Sequence, residues 1–223
     1  QIGEMVMNAQ TDKIDIAQIR RKAILTFFAA LIVLSAMFFI SAGTFDFWQA
    51  WVYLAIILGT MLYIASYLIK YAPDLMARRM KFIEREKEQS LIIKLSYIPF
   101  VFAYILPGFD RRFGWSDMPV WVAILGNVLV FAGYWLVFNV FKQNAYASRV
   151  IETSEVQQVI STGLYGFVRH PMYLGNCIMY ILSPIALGSW WAVIPALLIL
   201  PVIVMRILNE EKVLAKDLPG YTE

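Results

Sequence analysis

The sequence has only one cysteine, Cys177, and one histidine, His170, among its 223 residues. A single cysteine forms no intramolecular disulfide, so a disulfide-stapled fold is excluded. Zinc sites need three or four nitrogen, sulfur or carboxylate ligands at recognisable spacings, and the sequence has no such pattern. We therefore expect neither thiol–disulfide chemistry nor a resident metal ion.

Charged residues are also scarce, because they make up 16% of the chain, against about 25% in soluble domains. Apolar and aromatic residues make up 60%, and the mean hydropathy is +0.64. This composition is typical of a protein whose surroundings are largely lipid. It excludes a disordered chain, and the net charge of +3 is too small to indicate a nucleic-acid partner.

Several apolar runs approach the length of about 20 residues that a helix needs to cross a bilayer. The first two are joined by a polar corner at Thr44 and Asp46, which predicts a helical hairpin. The third contains Lys94 and Pro99, which predicts a kinked helix whose lysine reaches a membrane boundary. The sequence thus predicts an all-α, polytopic membrane bundle of about six helices, over residues 23–43, 47–69, 91–107, 119–141, 172–188 and 190–208.

The whole chain is predicted to form one membrane domain, residues 1–223. The first apolar run is too long for the core of a cleaved signal peptide, so we interpret it as a retained signal anchor. Between the second and third runs, apolar residues alternate with many charges, which favours an amphipathic interfacial helix over a solvated linker. The predicted parts are a polar N-terminal segment (1–22), four membrane helices (23–141) with the interfacial helix at 73–90, and a C-terminal part (142–223).

The distribution of basic residues predicts the orientation in the membrane. With six spans and both termini in the cytoplasm, every lysine and arginine except Arg111 and Arg112 falls on the cytoplasmic side. Such an excess of basic residues marks cytoplasmic segments. We therefore expect cytoplasmic termini, and we interpret the membrane as a bacterial inner membrane.

Two polar features interrupt the apolar pattern of the C-terminal part. Residues 142–171 are a polar insertion that ends in Arg169-His170-Pro171, directly before the fifth run. Arg206, in the last run, lies four residues before Glu210, so the two side chains share one helix face. Ionisable groups at membrane depth are functional candidates, although each feature alone also fits a structural role, as a turn, an interfacial anchor or a helix-end ion pair.

Together these residues resemble the signature of the isoprenylcysteine carboxyl methyltransferase family, which belongs with the phospholipid methyltransferases. The signature runs G-x-Y-x-x-x-R-H-P-x-Y-x-G, then R-x-x-x-E-E and a closing G-Y. In this chain it falls on Gly163 to Gly175, on Arg206 to Glu211 and on Gly220-Tyr221. The resemblance covers about residues 135–223, and the preceding residues match only in being membrane helices.

The resemblance implies an integral membrane enzyme that binds S-adenosylmethionine in a pocket at the cytoplasmic face. It implies that Arg206 faces the methyl acceptor and Glu210 the cofactor, which makes these two the catalytic candidates. Tyr165 and Tyr173 would offer aromatic faces to the adenine ring and the sulfonium cation. The implied cofactor contacts are Glu152, Gln157, Gln158, Val159, Ile160, Tyr165, His170, Pro171, Met172, Tyr173 and Glu210.

An arginine on the acceptor side favours an anionic acceptor, because guanidinium holds a carboxylate through two parallel hydrogen bonds. We therefore expect a lipophilic carboxylate, such as an isoprenylcysteine-like substrate, that enters from the lipid. Methyl transfer to an anion needs mainly positioning and desolvation. The amine of a phospholipid and a small thiol stay open as acceptors; either would need a base, for which Glu210 and Glu211 are the candidates.

Two other classes of protein fit the predicted helices. A reductase-like relative of the same fold would bind a nicotinamide cofactor in a similar cytoplasmic pocket, but such proteins are longer and this chain has the Arg-Glu pair. A non-enzymatic transporter subunit or scaffold is disfavoured because the sequence lacks inverted repeats and paired broken helices. Binding of S-adenosylhomocysteine but not of NADPH would distinguish the methyltransferase, whose partners are membrane lipids and a lipid or other lipophilic substrate.

Overall fold

The computed structural model describes residues 15–80, 87–147, 159–218, 220 and 221. No strand occurs in these ranges, so the predicted all-α fold is confirmed for them. A π-helical turn, Ala36–Ile40, continues the first helix, and a short 3-10 helix spans Gly163–Gly166. The α-helices are α1 (Ile16–Ser35), α2 (Trp48–Tyr71), α3 (Pro73–Arg79), α4 (Lys87–Phe113), α5 (Val120–Gln143), α6 (Pro171–Ala186), α7 (Val193–Leu197) and α8 (Ile199–Asp217).

Four helical segments of the described chain are long and apolar enough to cross a membrane. They are Ile16–Ile40, Trp48–Tyr71, Val120–Gln143 and Val193–Asp217. The count of six stays a prediction, because α4 and α6 are not among the four. The 16 residues of α6 give a length of about 24 Å at 1.5 Å per residue, less than the roughly 30 Å of a hydrocarbon core.

The N-terminal helices form the hairpin that the sequence predicts. α1 packs on α2, and the chain reverses at Gly43, whose φ of 65° lies in the left-handed region. The hydroxyl of Thr44 accepts a hydrogen bond from the Asp46 N–H at 3.0 Å, which fixes the polar corner.

The segment predicted to hold one interfacial helix over residues 73–90 contains the short helix α3 and the start of α4. α3 begins with Pro73, whose missing N–H costs nothing in the first helical turn. Its apolar face is buried, since Leu75 is 1% and Met76 4% exposed. α3 is thus packed against the helices by its apolar side and ends in Arg78 and Arg79.

α5 and α6 pack with their backbones in direct contact. A Cβ atom on Gly126 would lie 2.7 Å from the backbone nitrogen of Ala186, and one on Gly175 would lie 3.0 Å from the carbonyl oxygen of Gly133. Only glycine allows helices to approach so closely. The buried amide of Asn127 adds a hydrogen bond to the Ala186 carbonyl at 2.9 Å. This glycine seam sets the two helices antiparallel, so the end of α5 and the start of α6 lie side by side.

Buried hydroxyl groups join α2, α4 and α6 in the interior. Tyr53 on α2 lies 2.9 Å from the hydroxyl of Tyr104 on α4 and also bonds Ser183 on α6. Ser183 donates to the Met179 carbonyl at 2.6 Å, so its oxygen accepts from Tyr53, and the Tyr53 oxygen in turn accepts from Tyr104. The three helices are therefore held in register by a satisfied polar network.

The last predicted pair of runs is divided where the sequence indicates. α6 ends at Ala186, and Gly188 takes a φ of 82° that a residue with a side chain rarely adopts. Ser189 is fully buried and donates to Asp110 at the end of α4. The chain then returns through α7 and α8, which brings the C-terminal part of α8 back beside the start of α6.

Candidate functional site

The start of α6 carries the Arg-His-Pro-x-Tyr part of the signature. His170 precedes the helix, Pro171 takes its first position, and both Pro171 and Tyr173 are buried. Proline fits here because the first helical N–H has no partner within the helix. The Leu174 N–H bonds the His170 carbonyl at 3.2 Å, so the first turn of α6 fixes the backbone next to the histidine.

A directed chain of hydrogen bonds connects Arg206, Tyr173 and Glu210. The Nε of Arg206 lies 3.0 Å from the Tyr173 hydroxyl, and that hydroxyl lies 2.5 Å from Oε2 of Glu210. Guanidinium only donates, so the phenol accepts from Arg206 and gives its own hydrogen to the carboxylate. Both bonds involve a charged group, which makes them stronger than neutral ones. The pair on α8 is thus joined through one side chain of α6.

Glu211, the next residue on α8, contacts the residues just before α6. Its Oε1 lies 3.0 Å from Nε2 of His170 and 3.7 Å from Nη1 of Arg169. Because an ionised carboxylate only accepts, His170 donates from Nε2. The ring of His170 also meets Tyr173 edge to face, at 5.8 Å between centroids. The two adjacent glutamates therefore bond different partners: Glu210 accepts from Tyr173, and Glu211 accepts from His170.

The 3-10 turn before α6 places Tyr165 beside the end of α5. Gly163 has a φ of 62°, and a Cβ there would meet Oε1 of Gln143 at 2.6 Å. That same oxygen accepts from the Leu164 N–H at 3.0 Å. The side-chain amide of Asn144 lies 2.7 Å from the Tyr165 hydroxyl. The last residue of α5 and the one that follows it therefore hold the turn.

α3 contacts the same region from another side. Arg79 donates to the Ala147 carbonyl at 3.0 Å, lies 3.8 Å from the sulfur of Met172, and stacks over Phe141 at 4.2 Å. Arg78 donates to the Ala145 carbonyl. The two arginines thus attach α3 to the chain that leaves α5 and to the start of α6.

Charged groups of both signs meet at the start of α6. Arg169 lies 3.7 Å from Glu211, while Arg206 and Glu210 bond the same phenol, Tyr173. Burial raises the pKa of the Tyr165 hydroxyl, the bond from Asn144 lowers it, and the charge of Glu210 raises it further. Burial likewise raises the pKa of Tyr221, and Glu211 adds to this effect. Both phenols therefore stay protonated at neutral pH.

The structure brings most of the candidates from the sequence together. His170, Pro171, Met172 and Tyr173 lie in the first turn of α6, with Arg206 and Glu210 across from them on α8. Val159 is 40% exposed and Ile160 is half-buried, in the segment that leads to the turn. Glu152, Gln157 and Gln158 lie outside the described residues. Among those that are described, no group of three or more His, Cys, Asp or Glu residues could hold a metal ion.

Sequence reasoning missed the residues that contact the turn from outside the signature. Gln143 and Asn144 are polar residues at the end of an apolar helix, and this position could have indicated that they contact the site. Arg79 had no such signal, because its partners Ala147 and Met172 are 68 and 93 residues away along the chain.

The described helices and this cluster define a helical integral membrane protein with a polar site where α5 ends and α6 begins, beside the middle of α8. Residues 121–219 match the model of the phospholipid methyltransferase family. These residues are similar to that family of membrane methyltransferases, and the resemblance predicted from the signature is confirmed over them. No curated protein and no solved structure matches the chain.

Proposed function

We propose that the protein is an S-adenosylmethionine-dependent methyltransferase that acts on a lipophilic carboxylate. The observation that carries the proposal is the chain from Arg206 through Tyr173 to Glu210, within the residues that match the methyltransferase family. It joins a cation suited to an anionic acceptor with an anion suited to the ammonium group of the cofactor. Arg206, for the acceptor, and Glu210, for the cofactor, thus lie on one face of α8.

The chemistry of the described residues fits the cofactor. S-adenosylmethionine carries an amino acid head, an adenine ring and a sulfonium cation, and it supplies an electrophilic methyl carbon whose bonding electrons stay on sulfur after transfer. Glu210 offers a carboxylate for the ammonium group, and the ring of Tyr165 is only half-buried. The hydrogen bond from Tyr173 orients the carboxylate of Glu210.

Arg206 would bind the carboxylate of the acceptor and align one of its oxygens for attack. No base is needed, because a carboxylate is already ionised at neutral pH. Catalysis then depends on orientation and on the exclusion of water, which together can supply several kcal/mol. The apolar helices around the site suit an acceptor with a hydrocarbon tail that enters from the lipid.

A second acceptor class, the amine of a phospholipid, is favoured by the description of the matching family. A protonated amine must lose a proton before it can attack the methyl carbon. Glu210 or Glu211 would take that proton, but both already accept hydrogen bonds from Tyr173 and His170. We therefore prefer the carboxylate.

Transfer of a tritiated methyl group from S-adenosylmethionine tests the proposal. We expect label to enter N-acetyl-S-farnesylcysteine, a lipophilic carboxylate, and to be released as volatile methanol in base, since a methyl ester is base-labile. Vesicles of phosphatidylethanolamine would instead take up base-stable label if the acceptor is an amine. Absence of label in both, together with no binding of S-adenosylhomocysteine to folded protein, would refute the methyltransferase proposal.

We also propose six spans, a site at the cytoplasmic face and cytoplasmic termini in a bacterial inner membrane. The support is the distribution of basic residues, of which only Arg111 and Arg112 fall on the outer side. Lys142 and Asp117 are exposed and flank α5 at opposite ends. Its 24 residues would place them about 36 Å apart along the helix.

Cysteine labelling tests this orientation, since Cys177 is the single native thiol and can be replaced by alanine. In intact cells, Asp117→Cys is expected to react with a membrane-impermeant maleimide, whereas Lys142→Cys is expected to react only after the membrane is opened. Labelling in the reverse order would contradict the proposed topology.

A further inference from the structure

Asn144, which follows α5, is bonded at both ends of its side-chain amide. Its Oδ1 accepts from the backbone N–H of Tyr146 at 2.8 Å, and its Nδ2 lies 2.7 Å from the hydroxyl of Tyr165. A backbone N–H can only donate, so the atom facing Tyr146 must be the oxygen. The NH₂ group therefore faces Tyr165, and the orientation of the amide is fixed by its neighbours.

This arrangement determines the role that Tyr165 can play. An amide NH₂ only donates, so the phenol oxygen accepts from Asn144, and the phenol hydrogen must point to another partner. The hydroxyl keeps its hydrogen at neutral pH, as burial raises its pKa. Tyr165 can therefore donate a hydrogen bond to a partner that lies on the side of the site away from α5.

The rest of the turn holds the tyrosine in this place. The Leu164 N–H is bonded to Gln143, and the Tyr165 N–H bonds the Thr162 carbonyl at 3.2 Å. Gln143 and Asn144 in turn stand at the end of α5, which the glycine seam fixes against α6. The orientation of the Tyr165 phenol therefore depends on the contacts of this turn with the end of α5, including the hydrogen bond from Asn144.

We propose that Asn144 is a positioning residue of the cofactor site, which makes Tyr165 a donor to an acceptor atom of the bound cofactor. This inference rests on the proposed function, because the ligand is S-adenosylmethionine or its product. Asn144 itself acts through Tyr165 and lies outside the methyltransferase signature.

The variant Asn144→Asp distinguishes the positioning of Tyr165 from the role of Asn144 in the local backbone turn. Aspartate keeps the oxygen that accepts from Tyr146, so the local turn is preserved. Its other oxygen can only accept, which would draw the phenol hydrogen of Tyr165 toward α5 and away from the ligand. We expect the Kd for S-adenosylhomocysteine, measured by calorimetry in detergent, to rise about tenfold, the loss of one hydrogen bond.

A double-mutant cycle tests whether the effect passes through Tyr165. Tyr165→Phe should also raise the Kd about tenfold, and the double variant should bind no more weakly than Tyr165→Phe alone. Asn139→Asp is the matched control, since Asn139 lies on the same helix, where its side-chain amide donates to the Trp135 carbonyl at 2.8 Å. Its Kd and the melting temperatures should stay at the wild-type values.

Two results would overturn the proposal while the proposed function stands. One is wild-type affinity in Asn144→Asp or in Tyr165→Phe, and the other is a double variant that loses about a hundredfold, the product of the single effects. If the wild type and Asn139→Asp are folded and neither binds S-adenosylhomocysteine, the proposed function fails, and the role of Asn144 fails with it.

Discussion

Glu210→Gln is expected to raise the Kd for S-adenosylhomocysteine about 100-fold. Glutamine keeps an oxygen that can accept from Tyr173, so the contact between α6 and α8 survives. It removes the negative charge that we assign to the ammonium group of the ligand. Truncating one partner of a desolvated charge pair costs about 2–5 kcal/mol, and 2.7 kcal/mol corresponds to about 100-fold in Kd.

Calorimetric titration in detergent measures this effect, with Asp217→Asn as the matched control. Asp217 is the last residue of the same helix, and its side chain is exposed. The control should bind as the wild type does, and both variants should melt near the wild-type temperature. A Kd for Glu210→Gln within threefold of the wild type would remove Glu210 from the cofactor site.

Arg206→Lys is expected to lower kcat/KM for N-acetyl-S-farnesylcysteine about 1000-fold and to leave the Kd for S-adenosylhomocysteine within about threefold. Lysine keeps the positive charge but lacks the planar fork that binds a carboxylate through two hydrogen bonds. It also lacks the Nε–H that bonds Tyr173 at 3.0 Å in the native protein. Orientation of the acceptor is therefore lost while the cofactor side keeps Glu210.

The matched control is Arg112→Lys, at the end of α4 that is far from the site in the proposed topology. Its guanidinium lies over the ring of Phe113, and we expect normal transfer after the exchange. Tritium transfer and the same titration give the two numbers for each variant. An equal loss of cofactor binding and of transfer in Arg206→Lys would contradict the division between an acceptor side and a cofactor side.

The sequence predicts well those parts of the site that lie on one helix. Arg206 and Glu210 share a face because of the helical period, and His170 and Tyr173 occupy one turn at the start of α6. The contact between Tyr173 and Arg206 joins residues 33 positions apart. No spacing rule gives that contact, and the family resemblance implied only that the two elements share one site.

The parts that sequence reasoning missed depend on how helices pack. Asn144 reaches Tyr165, 21 residues further on, only because α5 and α6 lie antiparallel with their backbones in contact. The number of spans is harder to predict for a similar reason. Asp110 in α4 lowers the apolar character of that helix, yet the carboxylate is 2% exposed and is bonded by Ser116 and Ser189. Composition records the charge but not the partners that make its burial tolerable.

The glycine seam also makes the packing of α5 against α6 independent of the chain segment that connects the two helices. Since α5 and α6 are held by backbone contact, their facing ends are neighbours independently of the chain that connects them. Doubling the length of a flexible connection costs about 0.6 kcal/mol in closure entropy. Insertions between Ala147 and Val159 should therefore cost the packing of the two helices little free energy.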